Sequence, residues 1–159
     1  QTYEYNYLMK KVFITIFILL VLSNCGYSPI YIKNEMANFN VDVNEISGDR
    51  LINNLISSQL NRSKDKLSEN KITLKINTEY KKIINSKDAT GAAASYELSV
   101  ITKINVSNKS NNKTFQFSER FIMDKNENLL DEKNYERTVK QSFASSIADK
   151  IILELNSFK

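Results

Sequence analysis

One thiol and a scatter of lysine ammonium groups are the side chains of this 159-residue chain with most chemistry to offer. Cys25 is the only cysteine, and the chain has no histidine and no tryptophan. Without histidine and with a single thiol, a zinc site, a Cys-His nucleophile or a Ser-His-Asp triad cannot be assembled. The three glycines, Gly26, Gly48 and Gly91, lie far apart, so they cannot form a phosphate-cradling loop. Carboxylates stand singly or in short runs such as Asp131-Glu132, and nothing in their spacing points to the facing pair of a glycosidase. Two kinds of chemistry remain: modification of the Cys25 thiol, and point-charge binding of anions by lysine. The chain reads as a protein that is not an enzyme and calls for no cofactor.

The setting of Cys25 gives the thiol its meaning. From Met9 the order is Lys10-Lys11, an apolar run from Val12 to Leu22, then Ser23-Asn24-Cys25-Gly26. A positive start, an apolar middle and a small-residue exit make residues 9–24 a secretory signal peptide. As a helix the apolar run covers roughly 16 Å, about half of a bilayer core, too little for a comfortable span. Leu22-Ser23-Asn24-Cys25 resembles a bacterial lipobox, in which the thiol receives a diacylglycerol and the cysteine becomes the new N-terminus. Asn24 stands where such signals usually carry Gly or Ala. An ordinary signal peptide followed by an incidental cysteine is the alternative, and lipidation is favoured because no second cysteine exists to pair with Cys25. An Asp after the cysteine would resemble an inner-membrane retention signal, so Gly26 favours the outer membrane. The expectation is a palmitate-bearing lipoprotein anchored to the outer membrane on its periplasmic side. Residues 1–8 contain no Met and are read as a spurious upstream extension, left out of the fold.

Net charge is +4 over the whole chain. Lys10, Lys11 and Glu4 precede Cys25, so the chain beyond the leader is only mildly basic and gives no argument for nucleic acid. Lys and Asn abound where other proteins use Arg and Gly, a mutational signature of an AT-rich bacterial genome. Residues 25–38 form a tether with the only proline, Pro29. Residues 39–159 are the right length for one domain that buries about two-thirds of its unfolded surface.

Periodicity supplies the elements of that domain. Phe39, Val41 and Val43 alternate with polar residues as a short strand. Gly48 punctuates, Asp49 is placed to cap a helix, and Leu51, Ile52, Leu55, Ile56 and Leu60 follow at helical spacing to about Lys66. Ile72, Leu74, Ile76, Thr78 and Tyr80 line one face of a second strand, and 85–91 is a loop. A third strand carries Tyr96, Leu98, Val100, Ile104 and Val106, and a turn at 108–112 leads to a fourth with Phe115, Phe117, Phe121 and Met123 inward. A polar loop from Asp124 to Lys133 precedes a helix of roughly 25 residues. Its stripe is Tyr135, Val139, Phe143, Ile147, Ile151, Leu155 and Phe158, with Ala144, Ala148 and Ile152 beside it. The order β-α-β-β-β-α implies an α+β two-layer sandwich: a four-stranded mixed sheet with two helices on one face, its first two strands parallel. Lys71, Lys75, Glu97, Lys103, Gln116 and Arg120 would lie on the uncovered face.

Several short motifs now align with one family. Cys25-Gly26-Tyr27-Ser28-Pro29-Ile30-Tyr31 is similar to the Cys-Gly-aromatic-x-Pro-Leu-Tyr opening of alphaproteobacterial LptE, the lipopolysaccharide-assembly lipoprotein. Asp49-Arg50-Leu51 with Leu55 and Leu60, the entry Asp88-Ala89-Thr90, and the terminal Ser142-Phe143-Ala144-Ser145 with Ala148 resemble its later elements. The resemblance spans nearly the whole chain beyond the leader, although the family's Gln and Arg are often Asn and Lys here. It implies a plug inside an LptD-type outer-membrane β-barrel that helps assemble the barrel and binds lipopolysaccharide on its way to the outer leaflet. A polar sheet face suits a hydrated barrel lumen. Lysines suit lipid phosphates, and the candidates are Lys81, Lys82 and Lys87 at the end of the second strand, and Lys109 and Lys113 at the hairpin. No ligand residue of the family is carried over. The alternative is a non-catalytic scaffold lipoprotein of another envelope machine, an ABC-transport auxiliary or barrel-assembly accessory, without lipopolysaccharide affinity.

Overall fold

The computed structural model describes residues 39–158. The signal segment 9–24, Cys25 and the tether 25–38 lie outside the described residues. Six elements follow in order: β1 (Asn40–Gly48), α1 (Arg50–Ser63), β2 (Lys71–Lys87), β3 (Ala93–Ser107), β4 (Asn112–Asp124) and α2 (Leu129–Ser157). The strands form one sheet in the order β1-β2-β3-β4. β1 runs parallel to β2, with α1 as the crossover, and β2, β3 and β4 form an antiparallel meander. The expected mixed-sheet α+β sandwich is the fold found.

Both helices pack on the sheet and on each other. From α1 the core takes Ile52, Ile56 and Leu60, and from α2 Phe143, Ile147, Ile151 and Leu155. Ile72, Leu74 and Ile76 of β2 and Leu98, Val100, Ile104 and Val106 of β3 oppose them. Ala144 and Ala148 are buried, and their small side chains let α2 lie close to its neighbours. In the middle of this apolar layer the Thr78 and Thr102 hydroxyls satisfy one another at 3.0 Å.

Gly48 fixes the β1-to-α1 corner. Its φ is +91°, and a Cβ there would stand 1.8 Å from the Thr78 carbonyl oxygen. Only glycine fits that approach. The Asp49 N–H donates to the same carbonyl at 2.8 Å, and the Asp49 carboxylate accepts from the Ile52 N–H at 3.0 Å, the expected cap.

Three boundaries differ from the sequence reading, each through hydrogen bonds that hydrophobic spacing does not encode. α1 stops at Ser63 rather than Lys66, because the Asp65 N–H donates to the Phe39 carbonyl and pulls the chain into the sheet. β2 runs through Lys87, beyond the expected loop start at 85, with the Asn85 and Ser86 side chains bonded to Ser95 across the pair. α2 begins at Leu129 within the expected 124–133 loop, because Asn128 accepts from the Leu130 and Asp131 N–H groups. Tyr135, expected in the core stripe, is 48% exposed and meets Phe121 edge-on at 6.0 Å between ring centroids.

Candidate functional site

β2 outruns α1, and there Tyr80 and Lys82 reach the N-terminal half of α2. The seam between them is polar. Lys82 of β2 donates to Glu132 at 2.8 Å and to Glu136 at 3.0 Å. The Tyr80 hydroxyl donates to the other Glu136 oxygen at 2.9 Å. Lys140 donates to Asp49 at 2.8 Å and lies 3.8 Å over the Tyr80 ring, while Lys82 lies 4.3 Å over the Tyr96 ring. The result is one chain of alternating charge, Asp49-Lys140-Tyr80-Glu136-Lys82-Glu132, clasping α2 to the sheet.

The electrostatics follow from this geometry. Burial pushes the Asp49 carboxyl up, but the Lys140 ammonium and the Ile52 and Leu51 N–H groups outweigh it and hold the group below the ordinary value. The Lys82 ammonium pulls Glu132 down against burial. Burial lowers Lys82, and its two carboxylates more than restore it, for a net rise. Burial, then the Glu136 carboxylate, push the Tyr80 phenol well up. These shifts favour the charged forms of Asp49, Glu132 and Lys82, which is what a charged clasp needs. Among the described residues no cluster of acidic, His or Cys side chains could hold a metal ion, and no helix is long and apolar enough to cross a membrane.

The structure separates the five candidate lysines. Lys81 and Lys82 are adjacent on β2, so they point to opposite faces. Lys81 is exposed on the uncovered face, paired with Glu79 at 2.8 Å. Lys82 points inward and is held in the clasp. Lys87 is exposed at the last residue of β2, with no ion-pair partner among the described residues. Lys109 sits in the β3-β4 turn, and Lys113 at the start of β4 lies 4.5 Å over the Phe115 ring. Because Thr73 pairs with Ser107 while Lys87 pairs with Ala93, the hairpin lysines lie at the opposite end of the sheet, on the order of 45 Å from Lys87.

At the Lys87 end the structure gathers what alternation in the sequence does not reveal. Ile83, Ile84, Phe121, Ile122, Leu129, Leu130 and Tyr135 are all exposed there. The register places Ile83, Glu97 and Ile122 in one row, and Ile84, Tyr96 and Met123 in the next. The Lys125 N–H donates to the Ala94 carbonyl, which ties the end of β4 to the start of β3 just before α2 begins. A cleft of about 450 Å³ opens between Phe121, Ile122, Asp124, Lys125, Asn126, Glu132 and Tyr135. Around the tip stand Lys81, Lys87, Lys125 and Lys133, and the acids Asp88, Asp124, Glu127 and Asp131, all exposed. Ile83 and Ile122 lie on the open face and Ile84 and Phe121 on the helix face, so the exposed apolar residues surround this end of the sandwich. Such a grouping marks a candidate interaction surface. The signal in the sequence is the doublets Ile83-Ile84, Phe121-Ile122 and Leu129-Leu130, which break alternation and so cannot all be buried.

The opposite sheet face is also open. Lys75 pairs with Glu45 at 2.9 Å and Arg120 with Glu97 at 3.3 Å, and no element among the described residues covers them. Lys71, Lys103 and Gln116 lie exposed on the same face, as the alternation predicts.

No protein-family model and no curated protein sequence matches the chain. Solved structures do. Rare lipoprotein B from Shewanella oneidensis superposes with a TM-score of 0.56 at 18% identity, over 73% of this chain and 95% of that one. A candidate lipoprotein from Caulobacter crescentus gives 0.51 at 12% identity, over 77% and 91%. At such identities the likeness is one of fold, and the fold of this chain is that of these lipoproteins.

Proposed function

We propose that this chain is an LptE-like lipoprotein of the outer membrane, which plugs and helps assemble an LptD-type barrel and binds lipopolysaccharide at the tip of its sandwich. The observation that carries the reading is the tip, where four element ends bring exposed apolar side chains and lysines to one end of the sandwich. A lipid with acyl chains and phosphates needs both at once. The likeness in fold to rare lipoprotein B supports the family, and the lipobox-like Leu22-Ser23-Asn24-Cys25 supports the anchor. The open polar sheet face would meet the hydrated wall of the barrel lumen. With both signs of charge at the rim, apolar contact carries most of the lipid binding and salt weakens it in part.

The test is titration of the purified chain with lipopolysaccharide, comparing the parent with Ile122→Ser and Leu130→Ser. Both side chains are more than half exposed, so the fold should keep its stability. We expect each change to weaken binding severalfold at unchanged Tm. Unchanged affinity in both would remove the tip from the site.

A further inference from the structure

We propose that the free edge of β4 pairs with the β4 edge of a second copy of this chain, antiparallel, about a twofold axis through Ser118. The two edges of the sheet are built differently. β1 is interrupted by a bulge between Val43 and Glu45, a device that spoils edge pairing. β4 runs its 13 residues without a break in its pairing to β3, and it contains no proline or glycine. It is the last strand of the sheet, so among the described residues its outer backbone groups have no strand to meet. Inward-pointing charge commonly guards such an edge. Here the inward charges are Lys113, which lies over the Phe115 ring at the start of the strand, and Glu119, which α2 already holds through Lys150 and Ser146.

The strand is complementary to itself. Ser118 is its midpoint, so a twofold there pairs every residue from Asn112 to Asp124. Phe115 then opposes Phe121 twice on the inner face, and Gln116 opposes Arg120 twice on the outer face. No like charges meet. Moving the axis to Glu119 sets the two glutamates against each other, and moving it to Phe117 breaks both Phe115–Phe121 pairs. Phe115 and Phe117 are only part-buried and Phe121 is 37% exposed, so apolar area remains to be covered. One strand edge is a small interface, which implies a reversible dimer rather than an obligate one. The pairing is independent of the lipopolysaccharide reading, since it concerns the purified chain alone.

The test is cross-linking of full-length Ser118→Cys under mild oxidation. Opposed residues in an antiparallel pair have Cα atoms roughly 4.5–5.5 Å apart, inside the range that a disulfide accepts. Lys103→Cys, exposed on the same face but on β3, reports random collision, and the parent reports any contribution of Cys25. We expect Ser118→Cys to form a covalent dimer at least about tenfold faster than Lys103→Cys, through the high effective concentration in a preformed pair. Gln116→Cys mixed with Arg120→Cys should cross-link faster than either alone, which fixes the register. Equal rates for Ser118→Cys and Lys103→Cys, or a parent that sediments as a monomer at tens of micromolar, would overturn the pairing.

Discussion

Asp49 and Lys140 meet at 2.8 Å, and through them the cap of the first helix is also the anchor of the last. One carboxylate oxygen caps α1 and the other accepts from α2. Both side chains are mostly buried. Asp49→Asn retains a capping oxygen and loses the ion pair, whereas Asp49→Ala loses both. We expect Asp49→Ala to cost about 2–3 kcal/mol and Asp49→Asn about half as much. Urea titrations of the two variants, with Lys140→Met as the partner change, measure this. Equal losses for Asn and Ala would mean that the cap contributes nothing.

Acid should loosen the same clasp, and with it the separate contact of Glu119 on β4 with Lys150 and Ser146 of α2. Asp49, Glu119 and Glu132 titrate below their ordinary values of 3.8 for Asp and 4.5 for Glu. A depressed folded-state value stabilises above the unfolded value and is lost as pH falls through the folded one. Stability should therefore hold from neutrality down to about pH 5 and fall below that. Lys82 runs the other way: its raised value stabilises below 10.5, and that contribution is lost as pH climbs through the folded value. Glu132→Gln should flatten the acid limb relative to the parent. An unchanged slope in urea midpoints between about pH 5 and pH 3 would argue against the clasp.

Phe143 is 6% exposed in the core, while Lys75 lies exposed on the open face beside Glu45. Phe143→Ala should cost about 3–5 kcal/mol, a large share of an ordinary domain's stability. Lys75→Ala should leave the urea midpoint where it is. Comparable losses would mean that the two sheet faces are assigned the wrong way round.

Hydrophobic spacing carries this core. The recurrence at Val139, Phe143, Ile147, Ile151 and Leu155 has one burial solution, and the strand alternation of Ile72, Leu74 and Ile76 has another. Element ends depend instead on polar bonds with distant partners, such as Asp65 to Phe39 or Asn85 to Ser95, which no local period encodes. The same holds for the candidate site. Lysine identity is visible along the chain, but Lys82 becomes structural only because Glu132 and Glu136 arrive from α2, 50 and 54 residues later. The apolar tip exists only once four element ends converge.

That division separates the lysines proposed to bind lipid from the one that holds the seam. Lys81→Glu with Lys87→Glu changes two exposed side chains and should lower lipopolysaccharide affinity with little change in Tm. Lys82→Glu sets three carboxylates together in the seam and should lower Tm by several degrees. Thermal melts beside a binding titration separate the two. A Tm loss of similar size in both variants would place Lys81 and Lys87 in the clasp as well.

The most direct test of the central claim is isolation of the chain from outer membranes of its native host, with mass spectrometry of Cys25 and of whatever is retained. We expect acyl chains on Cys25 and a large β-barrel held one-to-one through a high-salt wash, and we expect Cys25→Ser to leave the membrane fraction. Depletion should lower barrel levels and surface lipopolysaccharide together. A chain that retains no barrel, and whose depletion leaves barrel levels and surface lipopolysaccharide normal, would contradict the plug reading and favour a scaffold lipoprotein of another envelope machine.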